Sequence, residues 1–177
     1  MPSDPGTVAA SGSRVTVERV RRADAGDLIA ANRENVQYHA PWVAPFTDEA
    51  GFEQWFARGI AGPHVSLIVR ERATRQLVGV VTFSEIVMGI FRSAYLGYWG
   101  YARTGGRGLM TDALRDAVRY GFGEIGLHRA EANIQPENIR SIALARRAGF
   151  SKEGFSPRYL FIDGAWRDHE RWTILAT

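Results

Sequence analysis

Polar and apolar residues alternate through Arg14-Val15-Thr16-Val17-Glu18-Arg19-Val20, the period of a half-buried strand. Asp24 to Asn35 then reads as a helix with Leu28, Ile29 and Ala31 on its apolar side, and Pro41 and Pro45 break the next stretch. Thr47-Asp48-Glu49 is a helix start, and Phe52, Trp55, Phe56 and Ile60 continue it as a stripe at helical spacing that ends at Gly62-Pro63. His64 to Glu71 and Gln76 to Val87 are β-rich runs around a short polar turn, which predicts an antiparallel hairpin. Ser93 to Tyr101 is a third run, aromatic and dotted with glycine.

From Leu109 the period becomes helical, with Met110, Leu114, Ala117, Val118 and Gly121 on one face. His128 to Ile134 returns to strand. Asn138 opens a helix whose apolar face is Ile142, Ala145 and Ala148, and Gly149 caps its end. Two aromatic strands joined at Asp163-Gly164, a strong hairpin signal, close the chain. The predicted order is β-α-α-β-β-β-α-β-α-β-β, an α/β (α+β) domain with a mixed, mostly antiparallel sheet over residues 14–177. Residues 1–13, small and polar, are expected to be a flexible segment.

One segment carries candidate chemistry. Gly97-Tyr98-Trp99-Gly100-Tyr101-Ala102-Arg103-Thr104-Gly105-Gly106-Arg107-Gly108-Leu109-Met110 runs from strand through a glycine- and arginine-rich loop into a helix. Glycines let backbone approach a ligand closely, and a helix start offers unpaired N–H groups at the positive end of its dipole. Together they suit a phosphate or pyrophosphate. The loop has no lysine for a Walker A motif, and the dinucleotide pattern G-x-G-x-x-G begun at Gly106 meets Thr111 where its third glycine belongs.

Composition narrows the chemistry further. The chain of 177 residues has no cysteine, so disulfides, thiolate metal sites and cysteine nucleophiles are excluded. Its 22 basic residues, all arginine except Lys152, are scattered among 19 acids for a net charge of +3, which argues against a nucleic-acid footprint. No run is apolar and long enough for a membrane span and no signal peptide is visible, so a cytoplasmic protein is expected. His39, His64, His128 and His169 lack metal-ligand spacing and read as surface or core residues; no metal is expected. Gly149-Phe150-Ser151-Lys152-Glu153 lacks the final glycine of a hydrolase elbow.

The glycine segment resembles the coenzyme A loop of the GNAT N-acetyltransferases. Arg103-Thr104-Gly105-Gly106-Arg107-Gly108 fits the pattern Gln/Arg-x-x-Gly-x-Gly/Ala. Gly106-Arg107-Gly108-Leu109-Met110 is similar to the Gly-Lys-Gly-Leu-Met run of the RimJ/RimL branch, with Gly105 replacing its glutamine. Asn138-Ile139-Arg140-Ser141, Ala148-Gly149-Phe150, Glu153-Gly154 and the stretch Tyr159 to His169 continue the resemblance, which covers nearly the whole chain.

The resemblance implies a sheet whose two central strands splay apart, with acetyl-coenzyme A as co-substrate. A primary amine would attack its thioester directly, most often the N-terminal α-amine of a ribosomal protein. A small-molecule amine acceptor and a coenzyme A-binding module without turnover are the alternatives. Trp99, Gly100 and Tyr101 would line the pantetheine and thioester, their amides offering oxyanion donors. Arg103, Gly105, Gly106, Arg107, Gly108, Leu109 and Met110 would hold the pyrophosphate. Ala145 stands where many relatives carry a tyrosine acid, leaving Ser141, or else Tyr159, for the departing thiolate. Asn138 serves equally as helix cap or pantetheine contact. Glu85 and Glu131 are candidate bases on strands where alternation leaves solvent-facing roles open, and Leu160 occupies the place of a glutamate used by RimL-like relatives. Tyr38, Trp42, Trp55 and Phe56 read as core, or as walls of an acceptor cleft. Monomer and homodimer both stay open.

Overall fold

A computed structural model describes residues 12–177. The expected flexible segment lies, up to residue 11, outside the described residues. Its last residue is anchored: Ser13 Oγ donates to Asp116 Oδ2 at 2.5 Å.

The chain runs β1 (Val15–Arg19), α1 (Ala25–Glu34), α2 (Val36–His39), α3 (Glu49–Ala61), β2 (Val65–Glu71), β3 (Leu77–Val87), β4 (Ser93–Gly100), α4 (Leu109–Tyr120), β5 (Arg129–Ile134), α5 (Ile139–Ala148), β6 (Ser151–Ile162) and β7 (Ala165–Leu175). The seven strands form one sheet in the order β1-β2-β3-β4-β5-β7-β6. Every neighbouring pair is antiparallel except β4–β5. That parallel pair is short, joining Ser93–Tyr95 to Arg129–Glu131 and no further. Beyond Tyr95 the two strands diverge, which is the expected splay.

Helices cover both faces. One core cluster packs α4 and α5 on the sheet through residues such as Phe83, Leu96, Leu114 and Ile142, and the other packs α1 and α3 through Leu28, Phe52, Ile68 and Val80. β3 reads as a nearly unbroken apolar run because it is buried on both sides. A fully buried Phe or Leu contributes about 1.5–3 kcal/mol.

Three local features depart from the sequence reading. The stretch after Asn35 contains an extra one-turn helix, α2, before the prolines. Ile60 is 68% exposed, so the stripe of α3 ends at Phe56. Gly121 keeps to the core-facing side of α4, but the helical form changes there. It opens a wide π-helical turn, Gly121–Ile125, where a Cβ would stand 2.7 Å from the Phe83 ring.

Candidate active site

The end of β4 and the glycine loop are fixed from beneath by polar residues of α1, α2 and the junction between them. His39 Nε2–H donates to the Gly100 carbonyl at 2.8 Å, Ala102 N–H donates to Asn35 Oδ1 at 2.9 Å, and the Tyr101 hydroxyl donates to Asn32 Oδ1 at 3.1 Å. Thr104, buried at the end of the following turn, ties back through Oγ1 to the Leu77 and Tyr101 carbonyls. Burial lowers the pKa of His39 and keeps it neutral, and burial pushes the Tyr101 phenol up to about 12.

Past that anchor the chain needs left-handed backbone twice, at Gly106 (φ 72°) and Gly108 (φ 76°). Gly108 is the N-cap of α4, and the first amides bonded back to it are those of Thr111 and Asp112. The amides just before them point out of the helix start toward open space. Arg14 braces the loop by donating to the Arg107 carbonyl at 2.9 Å and to Asp112 at 2.7 Å.

Two clefts meet beside this loop. The larger, about 680 Å³, lies between the loop, the start of α5 and α2. Trp99, Gly100, Gly105, Gly106, Gly108, Leu109, Met110, Asn138 and Ser141 all border it. The smaller, about 210 Å³, occupies the gap between the splayed strands, with Leu96 and Gly97 on one side and Ala132 and Asn133 on the other. Tyr98, Asn138 and Ser141 border both, so the clefts join around the first turn of α5.

Several expected site residues lie elsewhere. Tyr101 is buried against Asn32 and does not line the cleft. Arg103 is exposed on the turn, and the Arg107 side chain is drawn away into an ion pair with Glu71. Thr74 and Arg107 hold that carboxyl below the usual range. Arg140 and Arg147 of α5 border the cleft instead. Arg140 lies over the Tyr38 ring, 5.5 Å from its centre, so α2 and α5 touch across the opening.

Glu85 sits at the bulge of β3 with φ 50°, exposed, 3.4 Å from His64, and borders neither cleft. Glu131 is engaged by Arg129, which also holds Glu153 and Thr173. Tyr159 bonds Tyr95 at 3.1 Å and packs edge-on against His169, outside both clefts; that bond to Tyr95 and burial push its phenol up to about 12. Trp55 and Phe56 are core, whereas Tyr38 and Trp42 wall the clefts.

The strand edge facing the gap is also legible. The Trp99 carbonyl points at β3, where a Cβ on Gly79 would collide with it, while the Gly100 carbonyl points to His39. N–H and C=O of one strand residue point the same way. The backbone groups of Gly100 and Tyr98 therefore face away from β3, and those of Trp99 face it.

Sequence reasoning misses Tyr98. Its hydroxyl lies 2.7 Å from Ser141 Oγ. The available signal is a hydroxyl in the otherwise apolar row Ala94, Leu96, Tyr98. Ser141 is placed by its helix start, since its N–H donates to Asn138 Oδ1 at 3.1 Å. Among the described residues no three His, Asp or Glu side chains are grouped to hold a metal ion, and no helix is long and apolar enough to cross a membrane.

The sequence profile of the Acetyltransferase (GNAT) domain matches residues 14–151. The chain belongs to the GNAT acetyltransferases. It is an N-acetyltransferase of this family, and its co-substrate is acetyl-coenzyme A. Among GNAT relatives, the chain is 38% identical over 165 residues to the ribosomal protein uS5-alanine N-acetyltransferase of Escherichia coli, covering 88% of this chain and 84% of that one. It is 26% identical over 166 residues to the spermidine N(1)-acetyltransferase of Vibrio cholerae, 92% of this chain and 94% of that one. Mycobacterium smegmatis RimJ in complex with CoA-disulfide superimposes with a TM-score of 0.81 at 30% identity, covering 97% of this chain and 86% of that one. The left-handed glycines and open helix start fit a coenzyme A pyrophosphate, because a Cβ at Gly106 or Gly108 would strain the backbone there.

Proposed function

We propose that the chain acetylates the N-terminal α-amine of a protein, a ribosomal protein being the acceptor class. The observation that carries this reading is the lining of the strand gap. Leu96, Tyr98, Asn133, Gln135, Leu160 and Ile162 border it, and among the described residues no aspartate or glutamate lines it or the larger cleft. A polyamine carries several positive charges, and burying them without carboxylates is costly. A peptide start carries one amine followed by a neutral backbone, which suits such walls. The likeness to the uS5-alanine enzyme supports the same acceptor. This acceptor class puts the reaction in the cytoplasm.

In this reading the amides of Gly106, Gly108 and Leu109 hold the pyrophosphate, with Arg147 beside them. The gap-facing amide of Gly100 meets the thioester oxygen. Ser141 stands at the sulfur, Asn138 caps α5 and touches pantetheine, and the acceptor enters through the strand gap past Trp42. Glu85, away from the clefts, takes no part. The amine sheds its proton through water. A small-molecule amine acceptor is the second reading, favoured by the likeness to the spermidine enzyme and by Glu137 and Asp163 in an outer hollow.

Thiol release from acetyl-coenzyme A, measured against a panel of N-terminal peptides, polyamines and aminoglycosides, tests the assignment. Peptides should give the highest kcat/KM. Turnover confined to polyamines or aminoglycosides favours the second reading, and the absence of turnover with every acceptor marks a binding module.

A further inference from the structure

We propose that Tyr98 is a positioning residue whose hydroxyl donates a hydrogen bond to Ser141 Oγ and so turns the proton of Ser141 toward the cleft. The inference rests on the placement of Ser141 at the sulfur.

The hydroxyl of Tyr98 has two partners, and both belong to one residue: Ser141 Oγ at 2.7 Å and the Ser141 carbonyl at 3.5 Å. Its ring enters from β4, in line with buried Ala94 and Leu96, while Ser141 comes from the first turn of α5. The bond therefore crosses from one wall of the joined clefts to the other. Burial pushes the phenol up to about 12, so it stays protonated at neutral pH.

A serine hydroxyl has one proton and two lone pairs. With a lone pair taken by Tyr98, the proton is left for another acceptor. The hydrogen bond of Ser141 Oγ runs to Tyr98, and Ser141 borders both clefts. The open direction is the cleft. A hydroxyl that accepts one hydrogen bond also becomes a better donor of the next.

In the transfer, nitrogen bonds to the carbonyl carbon, the carbon–sulfur bond breaks, and the electron pair goes to sulfur. Ser141 O–H donates a hydrogen bond to that sulfur and keeps its proton, since an alcohol is a far weaker acid than a thiol. The proton shed by nitrogen reaches sulfur through water. This arrangement supplies the leaving-group contact although Ala145 provides no phenol on α5.

Steady-state kinetics of Tyr98→Phe, Ser141→Ala and the double variant, with the best peptide acceptor, test the pairing. Tyr98→Phe keeps the ring, and its thermal unfolding is measured alongside to show that it is folded. It should lower kcat about fivefold to tenfold, the size of one hydrogen bond, with KM for acetyl-coenzyme A unchanged. The double variant should be no slower than Ser141→Ala. Wild-type kcat in Tyr98→Phe beside a slow Ser141→Ala overturns the pairing and leaves Ser141 in its role. Losses that multiply overturn it as well, because the two groups then act independently. A Ser141→Ala enzyme as fast as wild type overturns both the pairing and the placement of Ser141.

Discussion

Tyr101 donates its hydroxyl to Asn32 Oδ1 across 3.1 Å, joining the end of β4 to α1 in the floor of the site. Trp99 Nε1–H donates to the same phenol at 3.3 Å, and Asn32 Nδ2 donates to the Phe46 carbonyl at 2.9 Å. The glycine loop starts directly beyond this network, so its position depends on α1 as much as on the sheet.

Removing Asn32 takes the acceptor from the Tyr101 O–H and the amide donor from the Phe46 carbonyl, in a buried place. Asn32→Ala should cost about 2 kcal/mol of stability, within the range for orphaned buried polar groups. Urea unfolding measures it. An unchanged midpoint would mean that water replaces the amide.

Gly108 holds φ at 76°, and a Cβ there would also approach the Arg14 guanidinium to 3.0 Å. Gly108→Val should weaken acetyl-coenzyme A binding at least tenfold, about 1.4 kcal/mol. Calorimetry on the folded variant checks this, and wild-type affinity would remove the loop from the coenzyme site.

Asn138 caps α5 by accepting from Ser141 N–H. Asn138→Ala should lower stability by about 1 kcal/mol and raise KM for acetyl-coenzyme A. Thermal unfolding and kinetics read the two effects separately. A fall in kcat alone would give Asn138 a chemical role instead.

His39 is neutral because burial lowers its pKa below the ordinary 6.5, and Nε2–H holds the Gly100 carbonyl. The unfolded chain therefore binds a proton there before the folded one does. Stability contributed by the neutral ring is complete above about pH 6.5 and is lost as the pH falls from that value toward the folded pKa. His39→Gln should flatten the melting temperature between about pH 7 and 5 relative to wild type. Parallel curves for the two proteins would contradict it.

Much of the fold is legible in the chain, for identifiable reasons. Period and turn chemistry place the strands and long helices, and the closely spaced glycines mark the loop. The side-chain destinations are less legible. Arg107 reads as a phosphate ligand by its place among glycines, yet the buried carboxylate of Glu71, distant in sequence, claims it. Glu85 reads as a candidate base because strand alternation is ambiguous, and a bulge turns it outward beside His64. Tyr98 and Ser141 meet only through the crossover that lays α5 beside β4, a pairing that no local pattern encodes.

Acetylation of a protein α-amine is tested most directly by where the acetyl group lands. A peptide beginning with alanine and carrying an internal lysine is incubated with enzyme and acetyl-coenzyme A, then fragmented in a mass spectrometer. A single acetyl group on the alanine nitrogen is expected. Acetylation confined to the lysine side chain, or an untouched peptide beside rapidly acetylated spermidine, would contradict the assignment.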